Sequence, residues 1–185
     1  MFFYSVTFGG FVGLASSLVI YFNTQYGLDP KMAGYFTAAC VFAGSLVRPI
    51  GGNVADRIGG IKSLSVMYVF AALFLGIVSF DLPEAWMALA AFVCAMLALG
   101  MGNGAVFQLV PQRFHKEIGV MTGLVGMAGG VGGFYLASSL GYSRQLTGSY
   151  QAGFLVFAAL ALVALSGLSL VKARWRTTWG APHVT

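Results

Sequence analysis

Charge is what this chain has least of. Only 8% of its 185 residues are charged and 58% are hydrophobic, whereas a soluble domain carries roughly 25% charged residues. A soluble globule of this size could not cover its surface with so few polar groups. Acids are scarcer still, five against ten Lys and Arg, and no Asp or Glu lies inside an apolar run. Cys40 and Cys94 are the two cysteines; both sit in apolar runs without CxxC or Cys/His spacing. That spacing makes a metal site improbable and a disulfide unexpected, and both read as small packing residues. Of the two histidines, His115 stands in a loop between Arg113 and Lys116 and His183 in a polar tail, and both read as solvated. No Ser/His/Asp or Cys/His set assembles, so neither an enzyme nor a cofactor is expected. The net charge of +5 comes from basic residues scattered singly at the ends of apolar runs, with no patch interleaved with aromatics. Nucleic acid is therefore not an expected partner, and lipid headgroups are. The first residues, Met1 to Val6, lack a basic n-region and lead into a glycine-rich apolar run, so a cleavable signal peptide is not expected there.

What is present is apolar length. Six runs can be marked off by their breaks, at residues 2–22, 31–55, 61–80, 85–110, 118–140 and 150–171. Each reaches about 20 residues, enough for a hydrocarbon core of ~30 Å. Asp29-Pro30 is a helix-start signal for the second run, and Pro111 is expected to end or kink the fourth. The 26 glycines and 16 phenylalanines suit closely packed membrane helices. The expected fold is an all-α integral membrane bundle of six helices over residues 1–172, with a tail at 173–185. Arg57, Lys62, Arg113, Lys116, Lys172, Arg174 and Arg176 fall on one side; Lys31 and Arg144 fall on the other with Asp29, Asp81 and Glu84. The basic side is expected to be cytoplasmic, with both termini there. An apolar run beginning almost at the first residue is expected of a piece of a longer chain, or of a half that pairs with another polypeptide.

One charge breaks the apolar pattern. Arg48 lies eight residues before Asp56, about 12 Å at ~1.5 Å per residue, between the membrane surface and the midplane. A guanidinium does not lose its proton, so at that depth it requires a counter-charge or a passing anion. It can snorkel or pair structurally, or it can receive an anion, and no carboxylate in an apolar run is available to pair with it. Tyr4 and Phe8, one helical turn apart, share a face with Phe11 and offer apolar walls and a phenolic donor, although periodicity alone favours lipid-facing or core packing for them. Asn103, among Gly100, Gly102 and Gly104, and Gln108 are buried amides that either bind an anion or tie two helices together. Gly119, Gly123, Gly126, Gly130, Gly133 and Ala137 recur at spacings of four and three and draw one stripe, with Gly129 and Gly132 beside it. Packing accounts for Gly119 and Gly133; Gly126 and Gly129 are the candidates for lining a pathway. Asp56, at a helix C-terminus, is placed to cap another helix or to pair with Arg57.

Gly52-x-x-x-Asp56-Arg57-x-Gly59-Gly60 resembles the cytoplasmic loop motif of the major facilitator superfamily. Gly100 to Phe114 together with Thr122 to Phe134 resembles the paired signature of its nitrate/nitrite porter family; Arg48-Pro-Ile-Gly-Gly and Tyr4-Ser-Val-Thr-Phe8-Gly-Gly extend the likeness over almost the whole chain. The resemblance implies a C-terminal six-helix bundle of a twelve-helix fold, carrying nitrate or nitrite between two bundles by alternating access. It implies that Arg48 is the substrate arginine of this half, Tyr4 and Phe8 are aromatic contacts, and Gly123 to Gly133, with Gly123, Gly126, Gly129 and Gly130, is the nitrate signature. It also implies a gating role for Gly52, Asp56, Arg57, Gly59 and Gly60, and a partner N-terminal half. A six-helix anion channel and a non-transporting scaffold half are the alternatives.

Overall fold

The computed structural model describes residues 1–113 and 117–178, with side chains for residues 1–107 and 117–172. Seven helices follow in order: α1 (Phe2–Tyr26), α2 (Pro30–Leu46), α3 (Arg48–Ile58), α4 (Gly60–Val78), α5 (Ala85–Arg113), α6 (Ile118–Thr147) and α7 (Gln151–Thr178). Because α2 and α3 share one span, six helical segments among the described residues are long and apolar enough to cross a membrane. Successive spans alternate in direction. One end of the bundle therefore gathers Gly27, Pro30, Asp81, Ala85, Thr147 and Gln151, and the other gathers Phe2, Gly59 and Ile118.

The helix ends are set by local chemistry. Asp29 caps α2 by accepting the Lys31 backbone N–H at 3.2 Å, with Pro30 in the first turn. Gly27 and Gly148 close α1 and α6 in the left-handed conformation, at φ 64° and 73°. α1 runs to Tyr26 and α6 to Thr147, beyond the 22 and 140 expected from hydropathy, because polar residues at the membrane boundary can complete a helical turn. α7 continues to Thr178, so the expected tail at 173–185 begins as helix.

Two prolines differ in effect. Of the two outcomes expected of Pro111, an end or a kink, the end does not occur there, since α5 runs on to Arg113. Pro49 does interrupt the second span, which the run 31–55 does not announce. Proline has no N–H for the carbonyl of Ser45, so α2 ends, Val47 forms a turn, and α3 restarts at Arg48 with Pro49 in its first turn.

Two buried clusters fill the bundle. Toward the Gly27 end, Tyr21, Phe22, Phe36, Phe92, Tyr150 and Phe154 pack largely edge-to-face, with ring centroids 5.3–5.6 Å apart for Tyr21 against Phe22, Phe92 and Phe154. Toward the Gly59 end, Tyr4, Leu64, Tyr68, Ala105, Val125 and Leu168 form a second cluster. Tyr68 donates its hydroxyl to the Phe3 carbonyl at 2.7 Å and so fixes the start of α1 to α4.

Glycine lets three helix pairs meet backbone to backbone. A Cβ on Gly9 would come 2.7 Å from the Gly132 carbonyl carbon, so α1 and α6 touch without side chains between them. A Cβ on Gly100 would overlap the Gly44 carbonyl oxygen, one on Gly51 the Met101 carbonyl oxygen, and one on Gly104 the Arg48 carbonyl oxygen. The broken span thus lies directly on α5, above and below its break.

Candidate anion site

The break delivers Arg48 to the middle of the bundle. Ten residues separate Arg48 from the end of α3, and ten separate Asn103 from the end of α5, about 15 Å in each case. Phe8 and Phe11 lie six and nine residues from the start of α1 at the same end, about 9 to 14 Å. All four residues therefore share one depth, and the contacts agree. The Arg48 guanidinium carbon stands 4.6 Å from the Phe11 ring centroid and 5.6 Å from that of Phe8. Aromatic faces stabilise a desolvated cation by about 2 kcal/mol or more, and they leave the in-plane N–H groups unused. Nε of Arg48 is buried without a hydrogen-bond partner. A charge held by rings, with a donor unsatisfied and no carboxylate in the surrounding apolar runs, has the donor set of an anion receptor.

Tyr4 and Phe8 do form a wall. Their rings stack at 5.1 Å with 9° between planes, and Tyr4 is 3% exposed. Phe107 of α5 closes edge-on against Tyr4 at 4.8 Å. Sequence reading passed over Phe107; its signal is position, since it stands four residues after Asn103 on the same face of α5.

Asn103 is 1% exposed, and neither amide atom has a hydrogen-bond partner. The reading of Asn103 as a tie between two helices is therefore not what the structure shows. Ser63 at the start of α4 also has a buried hydroxyl without a partner. Gln108 lies outside the described side chains, and His115 and His183 outside the described residues.

The glycines of α6 do not form one stripe but two faces. Gly129 and Gly132 lie against α1, where a Cβ would come 2.7 Å from the Tyr4 ring and would overlap the Ser5 carbonyl oxygen, and Gly133 meets Val12 at 3.0 Å. Gly119, Gly123, Gly126 and Gly130 have nothing within 4 Å of where a Cβ would stand. A seven-residue repeat drifts by about 20° per repeat around a straight helix, which carries the stripe from open space at Gly119 to the α1 contact at Gly133. Two expectations change accordingly. Gly129 is covered by the Tyr4 and Phe8 rings rather than opening onto a path, and Gly119 is open rather than packed.

At the Gly59 end, the motif residues gather where α3 turns into α4. Gly59 makes the turn at φ 92°, a conformation side chains other than hydrogen rarely adopt, and Gly60 begins α4. Gly52 faces the Gly104 carbonyl at 3.9 Å from a would-be Cβ, while Asp56 and Arg57 are exposed at the end of α3.

Comparison with known proteins gives these positions a context. The model of the Major Facilitator Superfamily matches residues 1–137. The nitrite extrusion protein of Bacillus subtilis is 38% identical over 170 residues, covering 91% of this chain and 42% of that protein. A Staphylococcus carnosus protein named "Probable nitrate transporter NarT" is 37% identical over 155 residues, covering 80% and 39%. A Thermus thermophilus protein named "Probable nitrate/nitrite antiporter NarK1" is 31% identical over 189 residues, covering 91% and 42%. The chain spans about two fifths of the length of these curated relatives.

Proposed function

The chain belongs to the Major Facilitator Superfamily, and we propose that it is one six-helix half of a carrier for nitrate and nitrite. The observation that carries this reading is the Arg48 guanidinium lodged against Phe8 and Phe11 with a buried donor unsatisfied. Nitrate is flat, monovalent and weakly hydrated, so a planar guanidinium suits its oxygens and the rings do not exclude it by desolvation. A strongly hydrated divalent anion loses too much on entering such a site. The names of the relatives support the substrate, and the chain's share of their length supports a half.

In this reading Arg48, Tyr4, Phe8 and Asn103 form this half's share of the site. The open glycine face of α6, with Gly123, Gly126 and Gly130, meets the second bundle or the passing anion, and Gly129 lets the Tyr4 and Phe8 rings settle close to α6. Gly52, Asp56, Arg57, Gly59 and Gly60 form the gate on the cytoplasmic side, where both termini lie. Transport proceeds by rocking of two bundles around a midplane site. It is a multi-pass membrane transporter rather than an enzyme.

The test separates charge from geometry. Arg48→Lys keeps the charge and loses the planar fork. Each charge-assisted hydrogen bond lost weakens nitrate binding by roughly 1.5 to 3 kcal/mol, about tenfold to a hundredfold. Nitrate-dependent thermal stabilisation of the complete carrier and uptake into vesicles measure the change. Wild-type affinity in the lysine variant would make Arg48 a structural residue.

A further inference from the structure

We propose that Asn103 is a working part of this site: its amide oxygen and Arg48 Nε are both unpartnered in this structure, and when the anion binds the amide oxygen receives the Nε–H and orients the guanidinium, while the amide nitrogen donates to the anion. The proposal rests on the anion reading of Arg48 given above. Its starting point is the register of α5. Gly102 faces α1 and α4, because a Cβ there would come 2.9 Å from the Thr7 methyl and 3.6 Å from Leu64. Gly100 and Gly104 face the broken span, at the carbonyls of Gly44 and Arg48. Leu99 lies 3.4 Å from where a Cβ on Gly10 of α1 would stand, and Phe107 reaches Tyr4 of α1. At 100° per residue, Asn103 projects between these directions, into the gap between α1 and the broken span. The Arg48 side chain crosses that same gap to reach Phe8 and Phe11.

Counting donors and acceptors then assigns the roles. An asparagine amide has two N–H donors and one carbonyl acceptor, and at Asn103 both atoms are buried without partners. A nitrate or nitrite oxygen accepts hydrogen bonds, so a bound anion satisfies the amide nitrogen and leaves the amide oxygen in need of a donor. The unpartnered donor entering the gap from the broken span is Nε–H of Arg48. Of the other unpartnered buried donors among the described residues, the Ser63 hydroxyl belongs to α4, on the Gly102 side of α5 rather than in that gap, and the Tyr21 hydroxyl to the aromatic cluster toward the Gly27 end. Once Nε donates to Asn103, the two terminal guanidinium nitrogens are left for the anion. The same logic explains an amide in place of a carboxylate. Aspartate at 103 would offer a permanent counter-charge to Arg48 and compete with every anion that arrives.

The experiment uses the complete carrier in detergent with nitrate as the probe, and it reads melting temperature with and without nitrate. Asn103→Leu has a similar volume and no polar atoms to leave unsatisfied. Without nitrate it should therefore melt at the wild-type temperature or above, while its nitrate affinity falls about tenfold or more. Asn103→Asp, nearly isosteric, should lose nitrate-dependent stabilisation at neutral pH, and it keeps the test sharp if leucine is not accommodated. Wild-type nitrate affinity in either variant, or a leucine variant that melts lower while its affinity is kept, overturns the role of Asn103. Arg48→Lys run alongside separates the two levels. If it loses affinity and Asn103→Leu does not, the anion site stands and the role of Asn103 falls; if it too binds as wild type, the anion site itself falls.

Discussion

The two ends of this bundle are built on different terms. At the Gly27 end, large rings interlock and the loops are tied across helices. Tyr26 donates to the Leu82 carbonyl at 2.8 Å, Asn23 to the Leu28 carbonyl at 2.8 Å, and the Asp81 carboxylate accepts from both Gln25 and Gln151. At the Gly59 end a span is broken, helices touch through glycine, and polar atoms are buried unsatisfied. Among the described residues with such atoms, Arg48, Ser63 and Asn103 lie in this half and Tyr21 in the other. Burying a polar group without a partner costs about 1 to 3 kcal/mol. A chain tolerates that cost where the missing partner arrives from outside. The aromatic end holds the fold, and the glycine end holds the site.

The sharpest way to break this contrast is at Gly126. Leucine there meets nothing in the bundle, as at Gly76 of α4, so neither variant should lower the stability of this half. Transport should nevertheless collapse with Gly126→Leu and survive Gly76→Leu when both are expressed equally. Equal uptake by the two variants would remove the open face of α6 from the transport path. The reverse dissociation belongs to the aromatic end. Phe92→Ala, at a fully buried ring touching Tyr21, Phe22 and Phe154, should lower stability by about 3 to 5 kcal/mol, read by thermal denaturation. Nitrate affinity of the surviving folded fraction should not change. A shifted affinity would mean that the two ends are coupled. The smallest effect is expected at the tie itself. Asp81→Asn removes the charge from exposed hydrogen bonds and should cost less than ~1 kcal/mol, with uptake unchanged.

The six spans were legible because each apolar run has to be long enough to cross a bilayer, and length survives any detail of packing. Arg48 was legible for a related reason: a charge in an apolar run has few explanations. The rest depended on which way residues turn. Pro49 reads equally as a kink or a restart until the opposing helix is known, and that helix meets the span with Gly100 against Gly44 and Gly104 against Gly52. A seven-residue glycine spacing does not say how far it drifts around α6, so the separation of Gly126 from Gly129 had to come from coordinates. Nor does a lone asparagine declare whether a partner awaits it; the two unpartnered amide atoms of Asn103 are a property of the assembled bundle.

The interruption at Val47 has a consequence for how the protein enters its membrane. The span it divides, Pro30 to Ile58, is the least apolar of the six and carries an arginine at depth. An arginine near the centre of a helix disfavours insertion by roughly 2.5 to 3.5 kcal/mol on the scale of the insertion machinery. The surface that receives this span, the glycine face of α5, is synthesised later. Until α5 is made, the second span lacks the glycine face on which it packs in the finished bundle.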